Sequence, residues 1–527
     1  MKICKYAISA LLLASCALCA AQGNTTSVEN LDGEKWWGAA TFFGQFMPYG
    51  DFKEKNIGKS NYSNQISPLF VSNKGRYIWS DKPFKFSSKD GVLTITSEFE
   101  KIEPVPAGKT MKEAFLAAAK KHFPPSGTIP PELFFSAPQY NTWIELQNNQ
   151  NQKDIENYAE CIVKHGFPTG VFMVDGGWQK YQGNYEFKPE KFVSAKAMFE
   201  KLRKMGFKTM LWVSPFVSPD SGEFKKLRKL GLLLKRKSSD EPGILRWWGG
   251  YSAAYDLTNP ESNRYFYGEL KKMQKEYSLD GFKFDAGDVN FVCGDFRFAN
   301  PEALPVDYCL MWAKYGLEFD FNEYRACYKM AGQPIVQRLQ DKKHSWEDLR
   351  QAVSDMLAAG VLGYAYACPD MIGGGEAKTF QPGCTINEKL VVRSCQASAL
   401  MPMMQFSVAP WRVLSPDNLK ICRDMALLHE KFGSYILELA KHASKTGEPI
   451  VRYMEYEFPN EGYENIKDQF MLGKKYLVAP VLTEADERII TLPRGKWRDD
   501  LGAVREGPCV MKEKIPLSRL AYFERID

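Results

Sequence analysis

The chain has 527 residues, 44% of them hydrophobic and 25% charged, which is ordinary globular composition and excludes a disordered chain. Two to four domains are expected at this length. The net charge of +6 is dispersed, with no basic stripe interleaved with aromatics, so a nucleic-acid binder is excluded and a neutral partner fits.

Met1, Lys2 and Lys5 form a positive region before an apolar run from Tyr6 to about Leu18, and Cys19-Ala20-Ala21 closes it. This reads as a signal peptide over residues 1–21, too short to span a bilayer. Leu13-Ala14-Ser15-Cys16 also fits a lipoprotein box, which would lipidate Cys16. The expected product is exported, periplasmic or secreted, with no membrane span. Cys4, Cys16 and Cys19 fall in the leader; the nine cysteines beyond it are scattered without a CxxC pair, and their pairing stays open. The five His show no metal-ligand spacing, which disfavours a zinc hydrolase.

From 24 to 130, short alternating runs such as Val92-Leu93-Thr94-Ile95-Thr96 lie between turn residues, and a β-rich domain is expected. Met111–Lys121 reads as a helix, and Pro124-Pro125 and Pro130-Pro131 mark the boundary. The rhythm then changes to helix and strand in alternation. Lys153–His165 carries one apolar face and stops at Gly166; a strand follows at Gly170–Asp175. A helix after Ser194 leads to the strand Thr209–Val213, and Asn259-Pro260 caps the helix that enters Phe282–Phe284. Leu133–Phe135, Pro334–Val336, Gly360–Tyr366, Met401–Phe406 and Ile450–Tyr456 bring the strand candidates to eight. That is the count of a (β/α)8 barrel over 131–465. Short β runs return in 466–527, a small C-terminal β domain. No glycine-rich phosphate loop follows a strand, which disfavours a dinucleotide fold.

Carboxylates recur at strand ends: Asp175, Asp285 after the fourth strand, Asp341 after the fifth and Asp370 after the sixth. In a barrel they would crowd the rim where such folds place their chemistry. Each alone could be a turn residue. Together, with no metal or His cluster, they suit cleavage of a glycosidic bond, which takes two carboxylates. Lys283 shares a strand face with Asp285 by period-two alternation and would point into the same site.

Several segments in one order resemble glycoside hydrolase family 31. They are Leu211-Trp212-Val213-Ser214-Pro215-Phe216, Arg246-Trp247-Trp248-Gly249-Gly250, Lys283-Phe284-Asp285-Ala286-Gly287-Asp288, Arg338-Leu339-Gln340-Asp341, Pro369-Asp370-Met371-Ile372-Gly373-Gly374 and Tyr476-Leu477-Val478-Ala479-Pro480-Val481. The resemblance covers about 130–500 and is nearest the branch of α-galactosidases and the myogenesis-regulating glycosidase. It implies a retaining α-glycosidase with Asp285 as nucleophile and Asp341 as general acid/base. Arg338 would hydrogen-bond the sugar, Asp175 would accept from its hydroxyls, and Lys283 would bind hydroxyls and keep Asp285 ionised. Trp143, Trp212, Trp248 and Asp370 would line the pocket, although barrel packing explains each Trp as well. The implied partner is a carbohydrate, with no cofactor or metal; the oligomeric state is left open. Asp288 stands where the commoner family motif has Glu, and Gln340-Asp341-Lys342 replaces Gly-Asp-Asn. Both departures point away from α-glucosidases and toward α-galactosides. The alternatives are an α-glucosidase or α-N-acetylgalactosaminidase of the same family and, in another class, an inactive sugar-binding barrel. Val174-Asp175-Gly176-Gly177-Trp178 also resembles a family 36 segment, but the Cys-Gly-Gly acid/base segment of that family is missing.

Overall fold

A computed structural model describes residues 23–381 and 383–527. The expected leader and its lipidation site lie outside these residues. Eight parallel strands follow the boundary: β1 (Gln139–Asn141), β2 (Val171–Val174), β3 (Lys208–Val213), β4 (Gly281–Phe284), β5 (Phe321–Tyr324), β6 (Gln337–Arg338), β7 (Ala367–Cys368) and β8 (Gln405–Phe406). Each pairs with its neighbours in chain order, β8 returns to β1, and a bridge between Met371 and Gln405 closes the ring. This is the (β/α)8 barrel the strand count implied.

The helices between the strands form where the sequence caps them. Asn151, Ser194 and Asn259 each accept a hydrogen bond from the first turn of the helix that follows. The helix Gln152–Lys164 buries Ile155, Tyr158, Ala159 and Ile162 against the barrel, so burial of one apolar stripe fixes its orientation.

Four expected strands prove displaced. Leu133–Phe135 lies in a short helix, Leu133–Ser136, directly after Pro130-Pro131, and β1 begins at the polar Gln139. The helix Trp346–Val361 absorbs the start of Gly360–Tyr366, so β7 begins only at Ala367. Pro334–Val336 precedes the two-residue β6. Ile450–Tyr456 yields Val451–Arg452, which pairs antiparallel with Phe470–Leu472 in the C-terminal sheet and is not a barrel strand. The barrel strand missing from the expected set is β5, Phe-Asn-Glu-Tyr, whose polar inward residue hides it from an apolar-run reading. Asp341 therefore follows the sixth strand and Asp370 the seventh.

Two antiparallel sheets precede the barrel, and Cys327–Tyr328, just after β5, adds a parallel strand to one of them beside Gln65. The C-terminal sheet has six strands, Trp497, Ile490, Leu492 and Phe523 filling its own core. The nine described cysteines are free thiols. Among the described residues no helix is long and apolar enough to cross a membrane.

Candidate active site

The C-terminal ends of the barrel strands open into a cavity of about 710 Å³. Trp143, Asp175, Trp212, Trp248, Lys283, Asp285, Arg338 and Asp341 all line it, together with Arg325, Trp247, Gln340 and Ser63. Sequence spacing explains the convergence. In β4, Phe282 and Phe284 pack outward on Phe319, while Lys283 and the following Asp285 face inward. Register aligns Trp212 of β3, Lys283 of β4 and Glu323 of β5 side by side. Gly287 turns the chain after Asp285 at φ 74°, where an added Cβ would collide with Trp312.

Asp285 is held on both oxygens. The Trp212 indole donates to Oδ2 at 3.0 Å; Arg325 Nε at 3.1 Å and the Ala286 amide at 2.8 Å donate to Oδ1. Its side chain is 13% exposed. Burial alone would raise its pKa, but the charges of Arg325, Lys283 and Arg338 and the Trp212 hydrogen bond outweigh it. The carboxyl is held well below the usual carboxylate range. Lys283 Nζ pairs with Asp175 Oδ2 at 2.6 Å, both side chains about 5% exposed or less. Burial opposes the charge on Lys283, but the negative charges of Asp175, Glu323 and Asp285 together outweigh it and hold its pKa above the ordinary value.

The second carboxylate sits differently. Asp341 is 42% exposed at its side chain, and Arg338 Nη1 donates to its Oδ1 at 2.8 Å. The same nitrogen donates to Asp370 Oδ1 at 2.8 Å and to the Leu339 carbonyl at 3.0 Å. Arg338 lines the cavity but is engaged chiefly with carboxylates. Asp370 does not line the cavity. It lies beneath it, buried, and accepts the Lys342 amide at 2.7 Å. Burial raises its pKa to about 6 against the pull of Arg338.

Two charged residues escaped the sequence reading because both belong to the unrecognised β5 region. Arg325 joins Asp285 to the buried Asp288 at 2.9 Å, and its guanidinium lies 4.8 Å from the Trp248 ring centroid. Glu323 is buried next to Lys283 in register, accepts Gln405 Nε2 at 2.7 Å, and burial pushes its carboxyl up. The alternation of Phe321, Glu323 and Arg325 was the available signal. One ionised, immobilised carboxylate facing one solvent-open carboxylate can act as nucleophile and proton donor on a sugar between them.

A family model for the glycosyl hydrolases family 31 TIM-barrel domain matches residues 128–436, and one for the family's C-terminal domain matches 447–525. The chain belongs to glycosyl hydrolase family 31. Among its relatives, the myogenesis-regulating glycosidase of Mus musculus is 32% identical over 421 residues, 77% of this chain and 58% of that protein. An α-xylosidase of Emericella nidulans is 25% identical over 503 residues, 89% of this chain and 62% of that protein. The chain thus spans about three fifths of the length of these two relatives. Among solved family 31 structures, a Flavobacterium johnsoniae dextranase complexed with glucose superposes with a TM-score of 0.80 at 19% identity, over 95% of this chain and 66% of that one. A soil-metagenome α-xylosidase complexed with xylose gives 0.82 at 20%, over 95% and 79%. At such identities the likeness is one of fold.

Proposed function

We propose that this chain is a retaining α-glycosidase, with Asp285 as nucleophile and Asp341 as general acid/base, acting on terminal α-galactosides in preference to α-glucosides. The observation that carries the reading is the contrast between the two carboxylates in one cavity: Asp285 gripped by Trp212 and Arg325, Asp341 open to solvent. Asp285 attacks the anomeric carbon while Asp341 protonates the departing glycosidic oxygen, giving a glycosyl ester and a free alcohol. Asp341 then takes a proton from water as its oxygen displaces Asp285, and the sugar leaves with its configuration retained. No residue in this sequence of steps needs a metal.

The buried Asp175–Lys283 pair supports selectivity for a sugar epimer, because its hydrogen-bonding capacity points at ring hydroxyls. Galactose and glucose differ only in whether the 4-hydroxyl is axial or equatorial. A buried polar group left unpaired by the wrong epimer costs about 1–3 kcal/mol, or roughly 5- to 150-fold in kcat/KM. The Trp247-Trp248 and Lys283-Phe284-Asp285 segments, which resemble the galactosidase-like branch, set the direction of the preference.

Hydrolysis of p-nitrophenyl α-galactoside, α-glucoside, α-N-acetylgalactosaminide and α-xyloside tests this. The expected result is fastest turnover of the galactoside. Faster turnover of another member reassigns the sugar and leaves the mechanism standing, whereas tight binding of sugars with no turnover of any member would support the inactive binding barrel.

A further inference from the structure

The two carboxylates descend from β4 and β6, with β5 between them. β4 and β5 are paired along four residues, but β5 meets β6 through one residue pair, Tyr324 with Gln337. Strand pairing therefore couples the nucleophile loop only weakly to the acid/base loop, although the chemistry needs a fixed spacing between them.

A segment far away in sequence spans that gap. Asn61, Asn64 and Gln65 of the N-terminal β domain are fully buried against the barrel rim. Asn61 Oδ1 accepts the amide of Val289, four residues past Asp285, at 3.1 Å. Asn64 Oδ1 accepts the amide of Gln340, the residue before Asp341, at 2.9 Å. Gln65 Nε2 donates to two carbonyls, that of Arg325 at 2.7 Å and that of Arg338 at 3.0 Å, the arginines that grip Asp285 and Asp341 respectively. The Ser63 carbonyl accepts Arg325 Nη1 at 3.3 Å, and Ser63 itself lines the cavity.

The segment is stiff and costly to shape. Tyr62 and Ser63 are successive non-glycine residues in the left-handed region, at φ 52° and 55°. Backbone strain of this kind persists where surrounding contacts enforce it. Here Asn61 Nδ2 ties the turn to the Asn64 carbonyl at 3.1 Å, and Gln65 opens a strand that is anchored in a sheet beside Cys327.

We infer that Asn61–Gln65 is a brace that sets the spacing of Asp285 and Asp341, with Asn64 the positioning residue for the acid/base and Asn61 for the nucleophile loop. The inference rests on the roles proposed above for the two carboxylates. It makes the N-terminal β domain part of the catalytic apparatus.

The test uses the full chain and two aryl α-glycosides of the sugar turned over fastest in the panel, phenyl and 2,4-dinitrophenyl. The phenyl leaving group needs protonation and the dinitrophenyl group does not. Asn64→Ala is expected to lose at least about tenfold more kcat/KM on the phenyl glycoside, since a misplacement of about 1 Å can cost ~100-fold. Asn61→Ala is expected to slow both substrates by a common factor. Asn64→Asp, which keeps the acceptor for the Gln340 amide, is expected to return the ratio toward the parent's, and it also serves if the alanine variant folds poorly. If Asn64→Ala and Asn64→Asp both leave the phenyl-to-dinitrophenyl ratio unchanged while Asp341→Ala shifts it, the brace is overturned and the catalytic assignment survives. An unchanged ratio in Asp341→Ala overturns the assignment itself, and the brace with it.

Discussion

The Asp285 side and the Asp341 side of this cavity are built on opposite plans. Asp285 ends a strand paired over four residues on each flank, is largely buried, and has three hydrogen-bond donors on its carboxylate. Asp341 follows a two-residue strand, keeps 42% of its side chain exposed, and is held by Arg338. The difference suits the tasks proposed for them. A nucleophile must stay ionised and aimed, which fixed positive charge in a low-dielectric wall achieves. An acid/base gives its proton to the departing oxygen and takes one from the incoming water, so it must meet both the leaving group and solvent, which an open position allows.

The largest expected break in this contrast is Asp285→Asn. An amide cannot form the glycosyl ester, and turnover of every substrate should fall at least ~10⁴-fold, about 5.5 kcal/mol of barrier, with the thermal transition and circular dichroism preserved. Activity within about tenfold of the parent would remove Asp285 from the role.

Asp341→Ala should be selective where Asp285→Asn is not. Rates on poor leaving groups should drop ~10³-fold, while 2,4-dinitrophenyl glycosides still form the covalent intermediate and hydrolyse it slowly. Added azide should relieve that second step and give the α-glycosyl azide. Equal losses on all leaving groups, with no azide product, would move the acid/base elsewhere.

Arg325→Lys sharpens the comparison through pH. Among the groups that lower the Asp285 pKa, Arg325 is the strongest, set against burial that would raise it. An ammonium cannot reproduce the planar fork that reaches both Asp285 and Asp288. The parent kcat/KM profile should show no acid limb from Asp285 above about pH 4, because a carboxyl held below its ordinary value loses its charge only in stronger acid. In Arg325→Lys that limb should move to higher pH, and the plateau should fall ~10- to 100-fold. A lowered plateau with an unmoved limb would show that Arg325 acts on substrate alone.

The smallest expected effect is on recognition. Asp175→Asn should shrink the galactoside-to-glucoside ratio by roughly 5-fold or more, as expected when a charged acceptor of a sugar hydroxyl is lost. A uniform loss on both epimers would make Asp175 a support for Lys283 and not a reader of the 4-hydroxyl.

Much of this site was legible where side-chain alternation was clean. Phe282 and Phe284 flank Lys283, so the strand, its inward face and the terminal Asp285 could all be read from a few residues. β5 was not legible, because Phe-Asn-Glu-Tyr places a buried carboxylate where an apolar residue marks most strands, and Arg325 was lost with it. The same holds for β1, whose Gln139 and Asn141 are buried by hydrogen bonds with Gln405. Arg338 was found, but its partners were not: a residue whose Nη1 serves both Asp341 and Asp370 cannot be told from a sugar ligand by sequence spacing. Asn61 and Asn64 drew no reading from the sequence, and their contacts with Val289 and Gln340 exist only because the N-terminal sheet packs on the barrel rim.

Under the proposed mechanism Asp285, and no other carboxylate in or beside the cavity, carries the sugar between the two steps. Incubation with a 5-fluoro glycosyl fluoride of the preferred sugar slows the second step and should leave the covalent intermediate in place. Proteolysis and mass spectrometry should then find one equivalent of sugar on the peptide containing Asp285, lost again when an acceptor alcohol is added. A label on Asp341, Asp175 or Asp370, or complete inactivation with no labelled peptide, would contradict the account.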